Sequence, residues 1–327
     1  MIDLYSPAKL GSLNVKNHFI RAACWEKTAE NGAPAKAVFD HYEDLCKGGV
    51  GTILTGFTTV DPVEHPAANM LGMHDDSLVD AFVPLVEMVH SYDVRIVCQI
   101  VYGGPCGPAN KGNDHVFAPS AIQHPGTGIM PVEMTEDDMN FLADEFAAAA
   151  ARCKAAGFDG VELHAAHGYL LSTFLSPDKN IRTDAYGGSI ENRARFLCMV
   201  ANRVRTAVGE DFPIWCKINS SDAGENGLTE ADSLIASQLL LQNGVDVIEV
   251  SGGNLMQDCT TPESQSYFRS YAAELKKLTD APVILTGGNR SLAVMQKIAD
   301  TTGVDFFGFG RPICQDPSYV MTLKENA

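Results

Sequence analysis

The chain has 327 residues, of which 45% are hydrophobic and 20% are charged, so it can bury a large core and is not an intrinsically disordered tract. Its 24 Lys and Arg residues stand against 41 Asp and Glu residues, which gives a net charge of −17. Nucleic acid and anionic membrane surfaces are therefore poor partners, because both are themselves negatively charged.

Neither a secretory signal nor a membrane-spanning segment is evident. The N-terminal residues lack the basic and continuous apolar segments of a signal peptide, and no run of about 18 apolar residues is present. The nine cysteines are an odd, widely spread set without the close spacing of zinc or iron–sulfur ligands. We therefore expect a reduced, cytoplasmic protein without a metal centre.

Short β-branched runs alternate with segments of helical periodicity along the whole chain. The runs begin at His18, Gly51, Val94, Gly160, Pro213, Val245, Pro282 and Val304. The clearest helical segments are residues 136–156, 192–208, 230–242, 265–278 and 292–301. Eight strand and helix pairs in about 320 residues predict an α/β fold, a (β/α)8 TIM barrel, with residues 1–327 forming a single domain.

Signals at the segment ends support these helices. Thr135 and Thr229 precede acidic residues at a helix start, where a side-chain oxygen can cap the backbone and negative charge favours the helix dipole. Gly157, Gly244 and Gly303 follow three of the helical segments and lead directly into the next β-branched run. The sequence therefore predicts helices that end at glycine and continue into buried strands.

One segment interrupts the alternation after the third run. Residues 102–131 are rich in glycine and proline and are longer than an ordinary connection between two elements. A disordered surface insertion is one interpretation. We expect instead an ordered lid or β-hairpin, because this connection leaves the barrel on the face where active sites lie.

Glycine-rich turns follow the last two runs. Gly287 and Gly288 come after the seventh run, and Gly310 and Arg311 come after the eighth. Because exposed backbone N–H groups beside an arginine attract anions, the two turns predict a site for a phosphate-bearing ligand. Tight packing of helices against strands is the competing explanation for the glycines.

Two histidines three residues apart, His164 and His167, end the fourth run, and Tyr169 follows them. Three roles fit such a pair: core histidines that bond to backbone, metal ligands, or hydrogen-bond donors to a ligand oxygen. A metal site is disfavoured because no third ligand lies at a usual spacing and Glu162 lies deeper in the strand.

The segment HAAHGYLLSTFLSPDKNIRTDAYGGSIENRARF, residues 164–196, resembles the central signature of the old yellow enzyme family of flavin-dependent ene-reductases. LGSLNVKNHFIRAA near the start, FAPSAI and PVEMT around the excursion, and GFGRPICQDP near the end are also similar to that family. The resemblance thus extends over nearly the whole chain. It implies that FMN is the cofactor, that NADH or NADPH is a transient electron donor, and that an activated alkene is the substrate.

The resemblance also implies which residues meet the cofactor. The FMN phosphate would be bound by Gly288, Gly310 and Arg311. Gln99 and Lys217 would meet the pyrimidine edge of the flavin, with Lys217 in place of the family's commoner arginine. The segments that approach the flavin ring would contain Ala23, Cys24, Trp25 and Phe57. Trp25 stands where many bacterial relatives have a cysteine.

On the substrate side, the resemblance implies that His164 and His167 donate hydrogen bonds to the carbonyl or nitro oxygen of the alkene. Tyr169 would donate the proton. The other polar residues of the signature are expected to be structural, pairing with one another and with the loop backbone. They are Asn180, Arg182, Asp184, Tyr186, Asn192, Arg193 and Arg195.

Two other functions are consistent with the residues. A barrel-end lysine beside a phosphate site also suits a lyase in which Lys217 forms a Schiff base with a carbonyl substrate. A flavin or ligand binder without catalysis, in which Tyr169 has no chemical role, is the second. The expected partner is a small molecule in every case, and association into a homo-oligomer is left open.

Overall fold

The computed structural model describes residues 2–253 and 257–325, in which eight parallel strands form a closed barrel. Each strand coincides with one of the β-branched runs. In chain order they are Phe19–Arg21, Thr52–Leu54, Arg95–Val101, Gly160–Ala165, Ile214–Asn219, Val247–Ser251, Val283–Thr286 and Phe306–Phe309. The eighth strand pairs with the first, which closes the ring and confirms the predicted (β/α)8 TIM barrel.

The helices follow the strands in the alternating order of such a barrel. They are Lys36–Lys47, Val79–His90, Glu136–Ala155, Leu170–Leu175, Ile190–Arg193, Arg195–Val208, Glu230–Gln242, Arg269–Leu278, Leu292–Thr302, Arg311–Gln315 and Tyr319–Glu325. Thr135 and Asp138 form a capping box at the start of one helix, and Thr229 caps another, as their sequence signals predict. None of the described helices has the length and hydrophobicity needed to cross a bilayer.

The helix ends agree with the sequence at three glycines and differ from it at two other boundaries. Positive φ angles confirm the glycine ends at Gly157, Gly244 and Gly303. The helix predicted over 192–208 is divided into Ile190–Arg193 and Arg195–Val208. The helix predicted over 265–278 begins only at Arg269. Ser266, three residues earlier, has a positive φ, which an α-helix does not tolerate.

The excursion after the third strand is ordered. Two 3-10 helices, Gly104–Cys106 and Pro108–Asn110, come first, and the buried carboxylate of Glu64 accepts backbone N–H groups at their start. Further on, Phe117–Ala118 pairs in parallel with Val132–Glu133. The β-hairpin prediction was therefore wrong, since a hairpin joins antiparallel strands and a parallel pair needs a longer crossover.

The inside of the barrel has an apolar layer below a polar one. The apolar layer consists of Leu10, Val15, Ile20, Leu54, Val97, Trp215, Val247, Ile284 and Phe306. Its first two members come from the antiparallel pair Ala8–Leu10 and Leu13–Val15, which precedes the first barrel strand. Side chains alternate along a strand, so the next inward positions lie closer to the carboxyl ends of the strands. Those positions include Gln99, Glu162, Lys217 and Glu249, all buried.

Candidate functional site

A cavity of about 270 Å³ lies at the carboxyl ends of the strands, between the first strand and the fifth to eighth. This is the face of a TIM barrel on which active sites form. Seven of the predicted site residues line the cavity: Ala23, Cys24, His167, Lys217, Gly288, Gly310 and Arg311. The structure therefore brings together the two glycine turns, the barrel-end lysine and one histidine of the pair.

The outer end of the cavity is built by the turns after the last two strands. Gly288 has a φ of 70°, and a Cβ at this position would lie only 2.3 Å from the ring of Tyr267, so glycine is required here. Asn289 is buried and donates hydrogen bonds to a carbonyl at the end of each of the two strands. Arg290 and Arg311 lie on the same lining, which makes this end of the cavity positively charged.

The inner end of the cavity holds a buried ion pair. The Lys217 ammonium donates to a Glu249 carboxylate oxygen at 2.9 Å, and their side chains are 4% and 0% exposed. Burial opposes the charge on Lys217, but Glu249 and then Glu162 raise its pKa above the ordinary value. Gln99 lies beneath the cavity and donates to Glu162 at 2.6 Å. A permanent cation thus forms part of the cavity floor.

A row of aromatic rings crosses the mouth of the barrel beside the cavity. His164 and Tyr169 pack edge to face with ring centroids 4.8 Å apart, and His164 and His167 do so at 5.1 Å. Tyr169 lies 5.8 Å from Phe57, which stacks on Trp25 at 6.2 Å. The structure therefore connects the predicted substrate residues with the two aromatic residues predicted to approach the flavin.

His164 is a neutral hydrogen-bond donor. Its Nδ1 accepts the backbone N–H of Ala166 at 3.3 Å, which leaves the proton of the neutral ring on Nε2. Burial, and then the neighbouring His167 and Lys217 side chains, hold the pKa of His164 well below its usual value. The Nε2–H group can consequently donate to a ligand oxygen without placing a charge in the mouth.

His167 is held by two contacts in an uncommon backbone conformation. Its φ is 61°, a region that few residues other than glycine adopt. The Asn219 side-chain oxygen accepts its backbone N–H at 3.2 Å, and Ser251 Oγ lies 2.8 Å from its Nε2. Burial, and then the charge of Lys217, lowers the pKa of His167 to about 3. The ring is therefore neutral and fixed in orientation at the cavity wall.

Tyr169 is a protonated hydroxyl at the start of a short helix. It is the N-cap residue of Leu170–Leu175, and the excursion packs nearby, with the Cys106 thiol 3.8 Å from the His167 carbonyl. Burial, and then the neighbouring Cys106 and Glu64, raise the pKa of Tyr169. The phenol thus keeps its proton at neutral pH.

Cys24 is a further titratable group on the cavity lining. A hydrogen bond from Cys314 lowers the pKa of Cys24 to about 6, and the charges of Arg21 and Lys217 act in the same direction against burial. Its sulfur would lie 3.6 Å from a Cβ placed at Gly310. A thiolate therefore adjoins the turn after the eighth strand.

The polar residues of the signature segment pair among themselves, as predicted. The Asn180 amide donates to the carbonyl of Phe174 in the preceding helix and to that of Tyr186 in the loop, each at 2.8 Å. Arg182 bonds to Asp184 and to carbonyls of the excursion. Arg193 bonds to Asp232 at 2.7 Å. These residues hold the loop together and take no part in the cavity lining.

Sequence reasoning missed three residues of the site. Glu249 lies two positions before Ser251 in the sixth strand, so alternation along that strand could have placed it inside the barrel. Arg290 directly follows the glycine turn after the seventh strand and could have been grouped with it. Tyr267 lies in a connecting segment, and no local pattern marks it.

The residues on the cavity fit the FMN that the resemblance implies. Gly288 and Gly310 leave backbone N–H groups open to a phosphate, and Arg290 and Arg311 supply positive charge at the same end. Lys217 supplies a buried cation at the opposite end, where the electron-poor pyrimidine edge of a flavin would gain from it.

The chain matches a known protein family over nearly its full length. The sequence model of the NADH:flavin oxidoreductase / NADH oxidase family matches residues 3–327. The NADPH dehydrogenase of Bacillus subtilis (strain 168) is 31% identical over 324 residues, which cover 98% of this chain and 94% of that protein. The NADH oxidase of Thermoanaerobacter brockii is 34% identical over 330 residues, or 99% of this chain. The chain spans about half of that oxidase, 51% of its length.

Solved structures show the same barrel. A 2-naphthoyl-CoA reductase in complex with 2-naphthoyl-CoA superposes with a TM-score of 0.91 and 25% identity, covering 99% of this chain and 52% of that one. An old yellow enzyme homologue from Zymomonas mobilis superposes with a TM-score of 0.86 and 24% identity, covering 100% and 93%. The chain therefore belongs to the NADH:flavin oxidoreductase / NADH oxidase family, the FMN-dependent oxidoreductases with NADH or NADPH as electron donor that its sequence motifs indicate.

Proposed function

We propose that this chain reduces activated carbon–carbon double bonds, using FMN in the cavity and NADH or NADPH as the source of electrons. The observation that carries the proposal is the pairing of His164, a neutral Nε2–H donor, with the protonated Tyr169 at 4.8 Å between ring centroids. The two lie beside a cavity with a cationic floor at Lys217. His164 suits a developing oxyanion, and Tyr169 suits a developing carbanion.

The cofactor would be held by residues from both ends of the cavity. Gly288, Gly310 and Arg311 would bind its phosphate, while Lys217 and, below it, Gln99 would face the pyrimidine edge. When bound, FMN supplies the hydride that the β carbon of the alkene accepts, and NADH or NADPH restores the reduced form. The remaining ring contacts would come from Ala23, Cys24, Trp25 and Phe57.

His164 and His167 would stabilise negative charge on the substrate oxygen. As the β carbon gains hydride, charge moves to the carbonyl or nitro oxygen, and a fixed donor bonds more strongly to this oxygen than to the uncharged one. Both imidazoles are neutral, so each would contribute a hydrogen bond rather than an ion pair. Ser251 and Asn219 hold His167 in place for this contact.

Tyr169 would protonate the α carbon. Its raised pKa keeps the phenol protonated while the substrate binds, so the proton is available until carbanion character develops. The adjacent Phe57 ring packs on one side of the phenol and His164 on the other, which restricts its motion. Bulk water can return the proton after the product leaves.

The lyase alternative is disfavoured by the state of Lys217. A Schiff base forms from an unprotonated amine, whereas this ammonium is buried, paired with Glu249 at 2.9 Å and held with a raised pKa. A binder without catalysis is disfavoured by the family, whose members are oxidoreductases. Neither alternative accounts for the position of Tyr169 beside His164.

The proposal is tested by separate half-reactions under anaerobic conditions. The holoprotein is reduced with one equivalent of NADPH or NADH, and then mixed with 2-cyclohexenone, an enal or a nitroalkene in D₂O. We expect the oxidised flavin spectrum to return and the saturated product to carry deuterium at the α carbon. Return of the spectrum with dioxygen but with none of the alkenes would refute the proposal. A holoprotein that NADH and NADPH fail to reduce would do the same.

A further inference from the structure

Two buried carboxyl groups beneath the cavity have no role in the proposed function. Glu162 lies on the fourth strand opposite Gln99 of the third, and Glu249 lies on the sixth strand opposite Lys217 of the fifth. All four residues are at most 3% exposed. Carboxyl groups are rarely buried without a partner, because the desolvation of a charge is costly. The pair therefore requires an explanation.

Each carboxyl group has one well-defined donor and one oxygen without a donor. Gln99 donates to Glu162 Oε2 at 2.6 Å, and Lys217 donates to Glu249 Oε1 at 2.9 Å. The remaining oxygens, Glu162 Oε1 and Glu249 Oε2, are buried and lack a donor among the described residues. Both residues lie on the strands that flank the Lys217 strand, and a hydrogen bond between the two carboxyl groups is among the causes that raise the pKa of Glu162 and lower that of Glu249. Two carboxylate oxygens can form such a bond only if one of them carries a proton.

We propose that Glu162 and Glu249 share one proton, carried by Glu162, so that Glu249 is the sole counterion of Lys217 and sets the charge that Lys217 presents to the cavity. Glu249 is thus a positioning residue that acts through Lys217. The consequence for the cofactor rests on the proposed function, whereas the shared proton does not.

Charge balance supports a single proton. With one proton the cluster holds the positive charge of Lys217 and the negative charge of Glu249, and its net charge is zero. Without a proton, a second buried carboxylate would lie beside the first with only one cation between them. With two protons, the Lys217 ammonium would be buried without a counterion. Either arrangement leaves an uncompensated charge in a site that excludes water.

The neighbours of each carboxyl group indicate where the proton resides. Burial, and then the negative charge of Glu249, raise the pKa of Glu162 well above its usual value. Burial also opposes the charge on Glu249, but Lys217 outweighs it and keeps the pKa of Glu249 below the usual value. Both effects place the proton on Glu162 and the charge on Glu249.

Two isosteric variants separate the roles of the carboxyl groups. Glu249→Gln removes the nearer counterion and leaves Glu162, which acts more weakly on Lys217, as the only carboxyl group that can oppose its charge, so the Lys217 charge acts more strongly on the cavity. Because the reduced flavin is anionic at its pyrimidine edge, this variant should favour the reduced cofactor by about tenfold, or ~30 mV for two electrons. Glu162→Gln replaces a neutral acid by a neutral amide that can still donate to Glu249. It should leave the potential near that of the unmodified protein.

The first experiment measures the midpoint potential of the bound flavin in the unmodified protein, in Glu249→Gln and in Glu162→Gln. A positive shift confined to Glu249→Gln supports the proposal. Equal shifts in both variants, or a larger shift in Glu162→Gln, overturn it, because Glu162 would then carry the charge. If the unmodified protein binds no flavin, the proposed function fails instead, and the proton is tested by the second experiment.

The second experiment needs no cofactor. The infrared spectrum of cofactor-free protein is recorded at about pH 9, above the pKa of about 7 to which burial raises the other buried acid, Glu64. We expect the carbonyl-stretch band of a protonated carboxylic acid, and we expect Glu162→Gln to lose it. The presence of the same band in Glu162→Gln, or its absence from the unmodified protein, would overturn the proposal. This result also stands if Glu249→Gln fails to fold.

Discussion

The signature loop and the floor of the cavity are both rich in polar residues, but they satisfy their hydrogen bonds differently. In the loop, defined by residues 180–195, the side chains of Asn180, Arg182 and Arg193 bond to carbonyls or carboxylates around them. None of the loop's buried side-chain atoms lacks a partner. On the cavity floor and directly beneath it, Thr286, Glu162 and Glu249 each retain a buried side-chain atom without a partner.

This difference separates residues that support the fold from residues that are available to a ligand. Buried polar groups in native proteins are normally paired, so a fully paired loop has no capacity left for binding. Unpaired groups around a cavity have lost water without gaining a protein partner, and their cost is offset only by a proton, an ion or a ligand. The sequence alone does not show which of these polar groups are paired. The predictions below test whether loop residues control stability and mouth residues control chemistry.

The largest effect is expected for Arg193→Ala, which should lower the stability of the fold. The guanidinium is 5% exposed, bonds to Asp232 at 2.7 Å and also bonds to the carbonyls of Leu175 and Gly188. Its removal leaves a partly buried carboxylate and two carbonyls without a donor, so the free energy of unfolding should fall by about 3–5 kcal/mol. Urea unfolding followed by circular dichroism measures this change.

Arg195→Ala is the matched control for that variant. Arg195 is exposed and bonds to Asn192 and to one carbonyl, so its loss should change the free energy of unfolding by about 0.5 kcal/mol or less. If Arg193→Ala instead abolished alkene reduction while its unfolding curve stayed unchanged, the loop would belong to the functional site and the comparison would fail.

The second-largest effect is expected for His164→Ala, and it concerns the rate of the reaction with the alkene. Removal of one well-placed donor to a developing oxyanion costs about 2.7–4 kcal/mol, so oxidation of the reduced protein by an enone should slow by about 10²–10³-fold. Reduction by NADPH should keep its rate, because it does not require this donor. Stopped-flow absorbance separates the two half-reactions.

His164→Asn provides the rescue, because its amide restores a neutral donor at the same backbone position. It should recover part of the lost rate and bind phenolic ligands more tightly than His164→Ala. Equal phenol affinity in the unmodified protein and in His164→Ala would show that the ring does not face the ligand.

A smaller effect is expected for Tyr169→Phe. General acid catalysis contributes at least about 10²-fold in many enzymes, but water can supply a proton where the mouth admits it. The rate of enone reduction should therefore fall less than in His164→Ala, and by different factors for substrates whose α carbons accept a proton with different ease. A panel of enones and nitroalkenes measures this spread. Identical rates for every substrate in both proteins would leave the tyrosine a packing role with Phe57 and His164.

The barrel itself could be predicted because short stretches of sequence specify its strands and helix ends. Each of the eight strands is a short β-branched run, and each cap or glycine end depends on residues within one helical turn. The boundary errors have local causes too. The positive φ of Ser266, three residues before the helix that begins at Arg269, leaves little trace in the sequence. The parallel pairing of Phe117–Ala118 depends on a partner 15 residues away.

The site could be predicted only in part, because it depends on contacts between strands. His164, Lys217 and Gly310 were recognisable from their positions at strand ends. The link between Glu162 and Glu249 was not, because it joins the fourth strand to the sixth across the barrel interior. The contact of Cys314 with Cys24 joins the last turns of the barrel to its first strand. A single domain over residues 1–327 and a homo-oligomer stay predictions.

The smallest expected effect concerns the titration of the Cys24 thiol on the cavity lining. With a pKa of about 6, lowered by the hydrogen bond from Cys314 and by Arg21 and Lys217, Cys24 is mostly thiolate at pH 7. Because the thiolate is the reactive form, its alkylation by iodoacetamide should speed up as pH rises through 6 and level off near pH 7. Peptide mass spectrometry follows this single site.

Two comparisons test the cause of this pH dependence and the position of Cys24 beside the cofactor. Cys314→Ala removes the donor to Cys24, so the rise in rate should move to higher pH, whereas Cys314→Ser keeps a donor and should hold the rise near pH 6. Bound FMN should slow alkylation at every pH, because Cys24 lies on the cavity lining beside Gly310. If FMN bound to the protein and left the rate unchanged, the cofactor would lie elsewhere, and the cavity would need a different ligand.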